Sequence, residues 1–302
     1  MKNKPLVSIL MNCYNGEKYL KEAIDSIYAQ TYENWEIIFV DNCSVDGSAD
    51  IAKSYDKRLK YYKTRENIPL GAARNWGLQF VKGEFLTFLD TDDIWLNNKL
   101  ELQLKTIEED VAFVYSSVIH INEVGIKLRD TILNIDNNFE SLLKRYDINM
   151  HSTLINLNLV NVKFNEKLLY CPDYELFMNI SAKGYNYKAI NKSLVKYRVH
   201  SDSLSFKTID IQINEIISVI NNLKKDYPIL YGQYRNTFKI AIYKFTYLIN
   251  AKKFLNMKRY FKAAKELFFL AQYDKKYFIV SLLLFIPMFN SLIYNRFLKK
   301  YV

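Results

Sequence analysis

Three aspartates in the segment FLDTDDIW could hold a metal ion. Asp90, Asp92 and Asp93 come directly after the apolar run from Phe85 to Leu89. Carboxylates at this spacing repel one another, and burying them is costly unless a cation lies among them. Their oxygen atoms suit Mg²⁺ or Mn²⁺, which keep water ligands and often bridge to phosphate groups of a bound molecule. A solvated turn or a helix cap is the alternative, and the position after a buried strand favours the metal.

Other polar side chains also follow apolar runs. Asn12 comes after the run from Val7 to Met11, and Asp41 and Asn42 come after the run from Glu36 to Val40. In a parallel sheet the carboxyl ends of the strands lie at one edge, and ligands bind there. We therefore expect these residues to share one site with the aspartates.

The chain up to Tyr115 alternates short apolar runs with helical periodicity. This alternation predicts an α/β fold in which helices cover both faces of a mostly parallel sheet. The predicted strands are 7–11, 36–40, 59–62, 85–89 and 111–115, and the predicted helices are 20–27, 51–55, 72–81 and 96–109.

Beyond this region the pattern is mixed and then helical. Residues 119–129 are typical of a hairpin, residues 173–183 of a helix, and residues 187–199 of two short strands. The helical periodicity of the C-terminal third predicts a boundary that divides the chain into domains 1–205 and 206–302.

The positive charge lies in the C-terminal third. Residues 205–302 contain 14 Lys and 3 Arg against 3 Asp and 2 Glu, a net charge of +12, whereas the whole chain carries +10. The run from Tyr277 to Asn295 has no charge, and Pro287 would kink a helix at its midpoint. A nucleic-acid partner is not expected, because nucleic-acid arms rarely contain so long an apolar run. The pattern favours interfacial membrane helices, with helices packed on the protein's own core and a true membrane span as alternatives.

Composition excludes an intrinsically disordered chain, since 50% of the residues are hydrophobic and 15% are aromatic. The chain has an odd number of cysteines, and their spacing is not typical of a metal site, which fits a reducing compartment. They are Cys13, Cys43 and Cys171. The N-terminal apolar run is too short for the core of a signal peptide, so we expect a cytoplasmic protein.

Six segments together resemble the family 2 glycosyltransferases of the GT-A fold. In chain order they are VSILMNCYNG, VDNCSVDGS, GAARNWGL, FLDTDDIW, CPDYELFMNISAKGY and YRVHSDSLS. The resemblance implies metal-dependent transfer of a sugar from a nucleotide diphosphate, with inversion at the anomeric carbon. It assigns nucleotide-sugar binding to residues 1–118 and the acceptor side to residues 119–205. Residues 206–302 would then be a basic amphipathic helical extension that associates with a membrane.

The resemblance places the nucleotide pocket at Asn12, Tyr14, Asp41 and Asn42. Tyr14 offers an aromatic face on which a base can stack. Asp41 and Asn42 match the pair that holds the base or ribose, where the family often has two aspartates. An amide donates and accepts hydrogen bonds whereas a carboxylate only accepts them, so a deoxythymidine donor stays open beside a uridine donor.

The resemblance also supplies residues for the diphosphate and the metal. Arg74 and Asp90 match nucleotide-sugar-binding positions, and a guanidinium can grip phosphate oxygens bidentately. A surface arginine is the alternative for Arg74. Asp90 and Asp92 match the metal-binding pair, with Asp92 as the direct ligand and Asp93 in support. His200 matches a position that completes the metal shell or contacts the diphosphate. Imidazole ligates Mn²⁺-type ions more readily than Mg²⁺, and the implied cofactor is a divalent ion, Mn²⁺ or Mg²⁺.

Asp173 matches the general base of the family, although Pro172 stands where the family often has Glu. Inverting transfer needs one carboxylate that takes the proton from the acceptor hydroxyl as it attacks. A helix N-cap is the alternative for Asp173. Arg198 is expected to order the YRVH segment or to contact phosphate, and His151 to line the acceptor pocket.

The leading hypothesis is a transferase that takes a UDP-sugar and works as a peripheral protein on the inner face of the cell membrane. Its acceptor would be a lipid-linked or surface glycan of lipopolysaccharide, capsule or glycoprotein. A dTDP-sugar-dependent enzyme of the same fold and a non-catalytic membrane-bound interaction protein are the alternatives. A nucleotidyltransferase would need a glycine-rich loop near the N-terminus, and LMNCYNGEKYL contains a single glycine.

Overall fold

The computed structural model describes residues 4–131, 133, 136–200, 209–272 and 281. The chain divides into two compact units, residues 1–200 and residues 201–302. The first unit carries the sheet and every residue predicted for the site, and the described part of the second unit is helical.

One half of the sheet is parallel and follows the predicted strands closely. Along the sheet its strands lie in the order β3-β2-β1-β4. Every residue of the second strand is buried, as expected for a parallel strand that is covered on both faces. The strands are β1 (Val7–Cys13), β2 (Trp35–Asp41), β3 (Leu59–Lys63) and β4 (Phe85–Phe88).

The other half of the sheet is largely antiparallel. The full order is β3-β2-β1-β4-β8-β6-β9-β5, with β7 paired to β6. Among the described residues, four of the eight strand pairings are antiparallel and all four involve strands of this half, whereas the longest pairing is parallel, so the sheet is mixed. The strands are β5 (Ile94–Trp95), β6 (Val111–Ile121), β7 (Lys127–Asp130), β8 (Thr153–Asn156) and β9 (Asn186–Arg198).

Two sequence predictions differ from the structure in this half. Residues 187–199 form one strand, β9, because it runs beside the long strand β6 and absorbs the irregularity as register shifts. The helix predicted over residues 96–109 is shorter, Lys99–Thr106, because Ile94 and Trp95 pair with β9 and the helix begins only after that pairing. The hairpin predicted at 119–129 is confirmed as the β6–β7 pair.

Helices cover both faces of this sheet. They are α1 (Glu17–Tyr28), α2 (Ser48–Lys53), α3 (Leu70–Leu78), α4 (Lys99–Thr106), α5 (Phe139–Lys144) and α6 (Pro172–Ala182), with a 3₁₀ turn at Met150–Ser152. Gly77 lets α3 approach the sheet closely, since an added Cβ would lie 2.5 Å from Leu10 and 2.8 Å from Val40. The helix α3 begins where β3 returns to the carboxyl edge of the sheet, and this places Arg74 beside that edge.

The second unit consists of α7 (Ile209–Asp226), α8 (Pro228–Gln233), α9 (Arg235–Asn256) and α10 (Tyr260–Leu270) in its described part. A small apolar cluster joins α9 and α10 through Ala251, Leu255, Ala263, Ala264, Leu267 and Leu270. None of the helices in the described ranges has the length and apolar character needed to cross a membrane. The uncharged run 277–295 lies outside the described residues, apart from Ser281.

Candidate active site

The segment after β4 brings the predicted aspartates to the carboxyl edge of the sheet. Asp90 Oδ1 lies 3.8 Å from Arg74 Nη2, and Asp90 Oδ2 lies 3.6 Å from His151 Nδ1. Burial by itself would raise the pKa of Asp90, but the His151 hydrogen bond and the Arg74 charge lower it. Asp90 is therefore a carboxylate held between two cationic side chains.

Asp92 pairs with His200 across 108 residues of sequence. Asp92 Oδ2 lies 2.9 Å from His200 Nε2, and the imidazole packs against the ring of Tyr19. Burial and the nearby charge of Asp90 raise the pKa of Asp92, and the contact with His200 lowers it in part. Both side chains keep some solvent exposure, 28% for Asp92 and 12% for His200. The structure thus brings the two predicted metal ligands together at a surface that a ligand can reach.

Asp93 lies beneath this surface as part of a buried ion pair. Its Oδ2 lies 2.9 Å from His151 Nδ1, and its Oδ1 accepts a hydrogen bond from the backbone N–H of Arg198. Burial alone would lower the pKa of His151, but the carboxylates of Asp93 and Asp90 raise it to about 10. His151 is accordingly an imidazolium buried under the aspartate loop, stacked on Tyr197.

Two sets of donor atoms could bind a divalent cation, and one fits better. Asp90, Asp93 and His151 offer donor atoms within 4.8 Å of one another. However, the carboxylates of Asp93 and Asp90 raise the pKa of His151 and so favour its protonated form, in which both ring nitrogens are donors and neither can bind a metal. Asp92 and His200 are closer to solvent and form a carboxylate–imidazole pair, which suits Mn²⁺-type ions. The residues present therefore fit a divalent metal at Asp92 and His200, with Asp90 adjacent.

Arg198 is buried and orders the loop, which is one of its two predicted roles. Its guanidinium donates to the carbonyl oxygens of Asp92 and Glu123 and pairs with Glu22 at 2.5 Å. The guanidinium also lies over the ring of Tyr19 at 4.4 Å. These contacts use the side chain inside the protein, so Arg198 holds the aspartate loop to α1 and to the β6–β7 hairpin.

Sequence reasoning missed the residues that support this loop. Tyr19 and Glu22 lie on one face of α1 because they are three residues apart, and both contact Arg198. That spacing was visible in the sequence, but their partner lies about 176 residues away in the chain. No local pattern identifies such a contact.

Asp173 lies in the first turn of α6, after Cys171 at the N-cap and Pro172 at the first helical position. It is therefore not the N-cap, which was the alternative interpretation. Burial raises the pKa of Asp173, and the positive charge of Arg74 and nearby backbone N–H groups lower it in part. A half-buried carboxylate of raised pKa near a cation is suited to accept a proton.

The predicted nucleotide side shows two kinds of residue. Tyr14 is 58% exposed just beyond the end of β1, so its ring is free to stack on a ligand. Asn12 is half-buried, and its Nδ2 has no hydrogen-bond partner among the described residues. The ring of Tyr14 is therefore accessible to a ligand, whereas the Asn12 Nδ2 is a buried donor.

Asp41 and Asn42 are instead bonded within the protein. Asp41 accepts hydrogen bonds from the Ser44 N–H and the Tyr61 hydroxyl. The Asn42 amide donates to the carbonyl of Ile68 and accepts from the N–H of the same residue. These bonds fix the loop around Asp41 and the segment before α3. A contact between either side chain and the donor base stays a prediction. In such a contact, the side-chain oxygen atoms of Asp41 and Asn42 would bond to the base as well as to their partners in the protein.

Comparison with known proteins now decides the family. The family described as Glycosyl transferase family 2 matches residues 8–168, which is more than half of the chain. The chain belongs to glycosyltransferase family 2. A relative in Escherichia coli, the UDP-Glc:alpha-D-GlcNAc-diphosphoundecaprenol beta-1,3-glucosyltransferase WfgD, is 31% identical over 72% of this chain and 87% of its own length. The protein is therefore a glycosyltransferase, as its sequence motifs predicted.

Solved structures agree on the fold of this family 2 chain. The mannosyltransferase PcManGT from Pyrobaculum calidifontis, in complex with GDP-Man and Mn²⁺, has a TM-score of 0.63 at 15% identity, covering 99% of this chain and 86% of that one. S. aureus TarS 1–349 in complex with UDP-GlcNAc has a TM-score of 0.62 at 17% identity, covering 97% and 90%. The predicted α/β fold of the GT-A type is confirmed.

Proposed function

We propose that this family 2 glycosyltransferase transfers a sugar, with inversion, from a UDP-sugar to a hydroxyl of a lipid-linked or cell-surface glycan. The observation that carries the proposal is the convergence of Arg74, Asp90, Asp92 and His200 at the carboxyl edge of the sheet. Cationic and anionic groups meet there within 4 Å, in the arrangement that a diphosphate and a divalent cation need together. The relative WfgD is named for transfer from UDP-Glc to a diphosphoundecaprenol-linked sugar, which supports the acceptor class.

Each residue has a role that its surroundings support. Arg74, buried behind Asp90 and lying over the ring of Phe164 at 5.4 Å, binds an oxygen of the donor diphosphate. Asp173 takes the proton from the acceptor hydroxyl. A divalent metal held by Asp92 and His200 would neutralise charge on the leaving diphosphate. Arg198 and His151 keep the aspartate loop in place beneath these groups.

The residues predicted to bind the nucleotide support a choice of donor base. Tyr14 supplies an exposed ring for stacking, and the Asn12 amide supplies a buried donor that has no hydrogen-bond partner among the described residues. UDP-GlcNAc in the structural neighbour TarS supports a uridine donor, and the Asn at position 42 keeps dTDP-sugars as the second choice. Because the structural neighbour PcManGT was solved with GDP-Man, a GDP-sugar is the third donor to be tested.

The function is tested by incubating the protein with UDP-, dTDP- and GDP-sugars and a short polyprenyl-diphosphate-linked sugar acceptor. We expect release of UDP that depends on the acceptor, and a product whose anomeric configuration is opposite to that of the donor. The variant Glu109→Gln, at an exposed position outside the motifs, should match the wild type. Failure to release any nucleoside diphosphate, or retention of configuration, contradicts the proposal.

We further propose that the protein binds the inner face of the cell membrane through its C-terminal unit. Phe261, Lys265 and Phe268 lie at positions i, i+4 and i+7 of α10 and share its exposed side, where Phe261 is 70% exposed. Lys262 and Phe269 are exposed on the same helix. We call these five residues the basic–aromatic face of α10.

The chemistry of this face supports a lipid partner. Exposed aromatic rings next to lysines match the interface of an anionic bilayer, where rings enter the headgroup region and cations meet phosphates. The opposite side of α10 is apolar and packs on α9, and at the edge of the face Phe269 and Lys262 also contact α9 through the rings of Tyr247 and Phe254. Phe261 and Phe268 are the most exposed rings of the face. The net charge of +12 in residues 205–302 adds long-range attraction to the same surface.

A further inference from the structure

Three consecutive backbone carbonyls around His151 are each bound by a side chain from one short stretch of the chain. Trp95 Nε1 donates to His151 O at 3.1 Å, Gln103 Nε2 donates to Ser152 O at 2.7 Å, and Lys99 Nζ donates to Thr153 O at 3.3 Å. We call Trp95, Lys99 and Gln103 the carbonyl ladder.

The ladder answers a local need of the backbone. Met150–Ser152 is a single 3₁₀ turn that joins directly to β8, so these carbonyls do not all find partners within their own element. Buried carbonyls without partners are costly. Lys99 and Gln103 lie four residues apart on α4 and therefore point to the same side of the helix, toward the turn.

Lys99 is the least expected member of the ladder. It is fully buried, and its Nζ also donates to Thr87 Oγ1 and Gln103 Oε1 and lies 3.9 Å from the centre of the Trp95 ring. None of these partners is a carboxylate. A buried lysine is expensive to keep, and the transfer chemistry gives it no role. A buried lysine whose amine is bonded on all sides indicates a residue that positions the groups around it.

We propose that the carbonyl ladder is a set of positioning residues that fixes the His151 side chain against Asp90 and Asp93. The ladder holds the backbone of residues 151–153 from below, and the His151 ring then meets Asp93 at 2.9 Å and Asp90 at 3.6 Å. Asp90 stands next to the metal-facing Asp92, so the ladder controls the shape of the aspartate loop from the interior. This inference rests on the proposed function only for its kinetic consequence.

The ladder predicts a specific kinetic signature. A shift of about 1 Å in the catalytic groups can cost up to about 10²-fold in rate, while the residues of the nucleotide side lie outside the ladder. Loss of one rung should therefore lower kcat by roughly 10-fold and leave the KM for the donor within about 3-fold. A residue that only stabilises the fold would lower the melting temperature and leave kcat unchanged.

The test uses Trp95→Phe, which removes the N–H donor and keeps an aromatic ring, and Lys99→Met, which removes the amine and keeps the length. The matched control is Lys105→Met, because Lys105 is an exposed lysine of the same helix. The double variant Trp95→Phe/Lys99→Met should cost less in kcat than the product of the two single losses, since both act on one segment.

A second measurement reads the position of His151 directly. The chain has 3 histidines, so the imidazole resonances of a histidine-labelled protein can be assigned by substitution. In Trp95→Phe at fixed pH, we expect the His151 resonances to move further than those of His120 and His200. The same spectra in Lys105→Met should match the wild type.

These outcomes decide the inference. It is overturned if folded Trp95→Phe keeps the kcat of the Lys105→Met control, or if its His151 resonances move no further than those of the other two histidines. If Lys99→Met does not fold, Trp95→Phe alone decides between the two results. If the wild type transfers no sugar from any donor, the proposed function fails, and the resonances still decide whether the ladder holds His151.

Discussion

Asp173 is the residue whose surroundings define the proposed chemistry most narrowly. It lies in the first turn of α6, where backbone N–H groups and the charge of Arg74 favour its ionised form and burial opposes it. These influences are of opposite sign, and burial is the largest. The carboxylate therefore holds a proton more readily than an exposed aspartate does.

Replacing Asp173 by Asn keeps the shape of the side chain and removes its ability to take a proton. We expect Asp173→Asn to lower the transfer rate by roughly 10²-fold or more, with donor binding unchanged in calorimetry. The control is Glu175→Gln in the same helical turn, where the carboxylate bonds to Asn165. Weak donor binding combined with normal turnover of the bound donor would show a structural role for Asp173 instead.

The pH dependence follows from the same residue. A general base works when deprotonated, and the pKa of Asp173 is raised, so the ascending limb of kcat should lie above the range of an exposed aspartate. Arg74 lowers this pKa, so removing its charge in Arg74→Met should move the limb to higher pH still. The measurement is kcat at saturating donor across pH. A limb that moves to lower pH in Arg74→Met contradicts the account.

At the scale of elements, the parallel half of the sheet could be predicted because its strands are continuous apolar runs between helical stretches. The two-residue strand β5 and the strand β8 could not be predicted, because each depends on a partner far away in the chain. Separation along the chain also explains which residues of the site could be predicted. Motifs identified Asp92 and His200, whereas the ladder residues Lys99 and Gln103 look like ordinary positions of an amphipathic helix.

The close approach of α3 to the sheet makes a prediction about stability. An added methyl group in Gly77→Ala would press on Leu10 and Val40 in the core, and overpacking of this kind costs about 1–3 kcal/mol. The three tryptophans lie in the first unit, so urea unfolding followed by tryptophan fluorescence reports on that unit. Gly232→Ala is the control, because nothing lies within 4 Å of its added Cβ. Equal unfolding midpoints for the two variants would contradict this packing.

At the scale of the whole molecule, chemistry and charge are separated along the chain. The first unit contains the site, and residues 205–302 contain a net charge of +12. Sequence alone located this charge and suggested a membrane partner. The described helices add the basic–aromatic face of α10. The sequence analysis did not identify this face, because it based the membrane prediction on the uncharged run 277–295.

The membrane proposal predicts attachment with two components. Each lysine near an anionic surface contributes about 1 kcal/mol that salt weakens, whereas the buried rings contribute a term that salt does not weaken. Phe261→Ser/Phe268→Ser should therefore float with anionic vesicles at low salt and be released by high salt. The wild type and the control Ile229→Ser, also at an exposed apolar position, should stay bound to the vesicles at low salt and at high salt. Identical release of all three proteins would show that α10 does not contact lipid.

We propose that the aspartate loop and His200 together support metal-dependent sugar transfer. The most direct measurement is the transfer rate as a function of Mn²⁺ and Mg²⁺ after treatment with EDTA, for the wild type, Asp92→Asn and the control Asp226→Asn, an exposed position of the second unit. We expect chelation to abolish transfer reversibly in the wild type and in the control. We also expect Asp92→Asn to stay at least roughly 10²-fold slower at every metal concentration. Full transfer in chelator, or an Asp92→Asn variant that equals the control, would contradict a metal-binding role for Asp92.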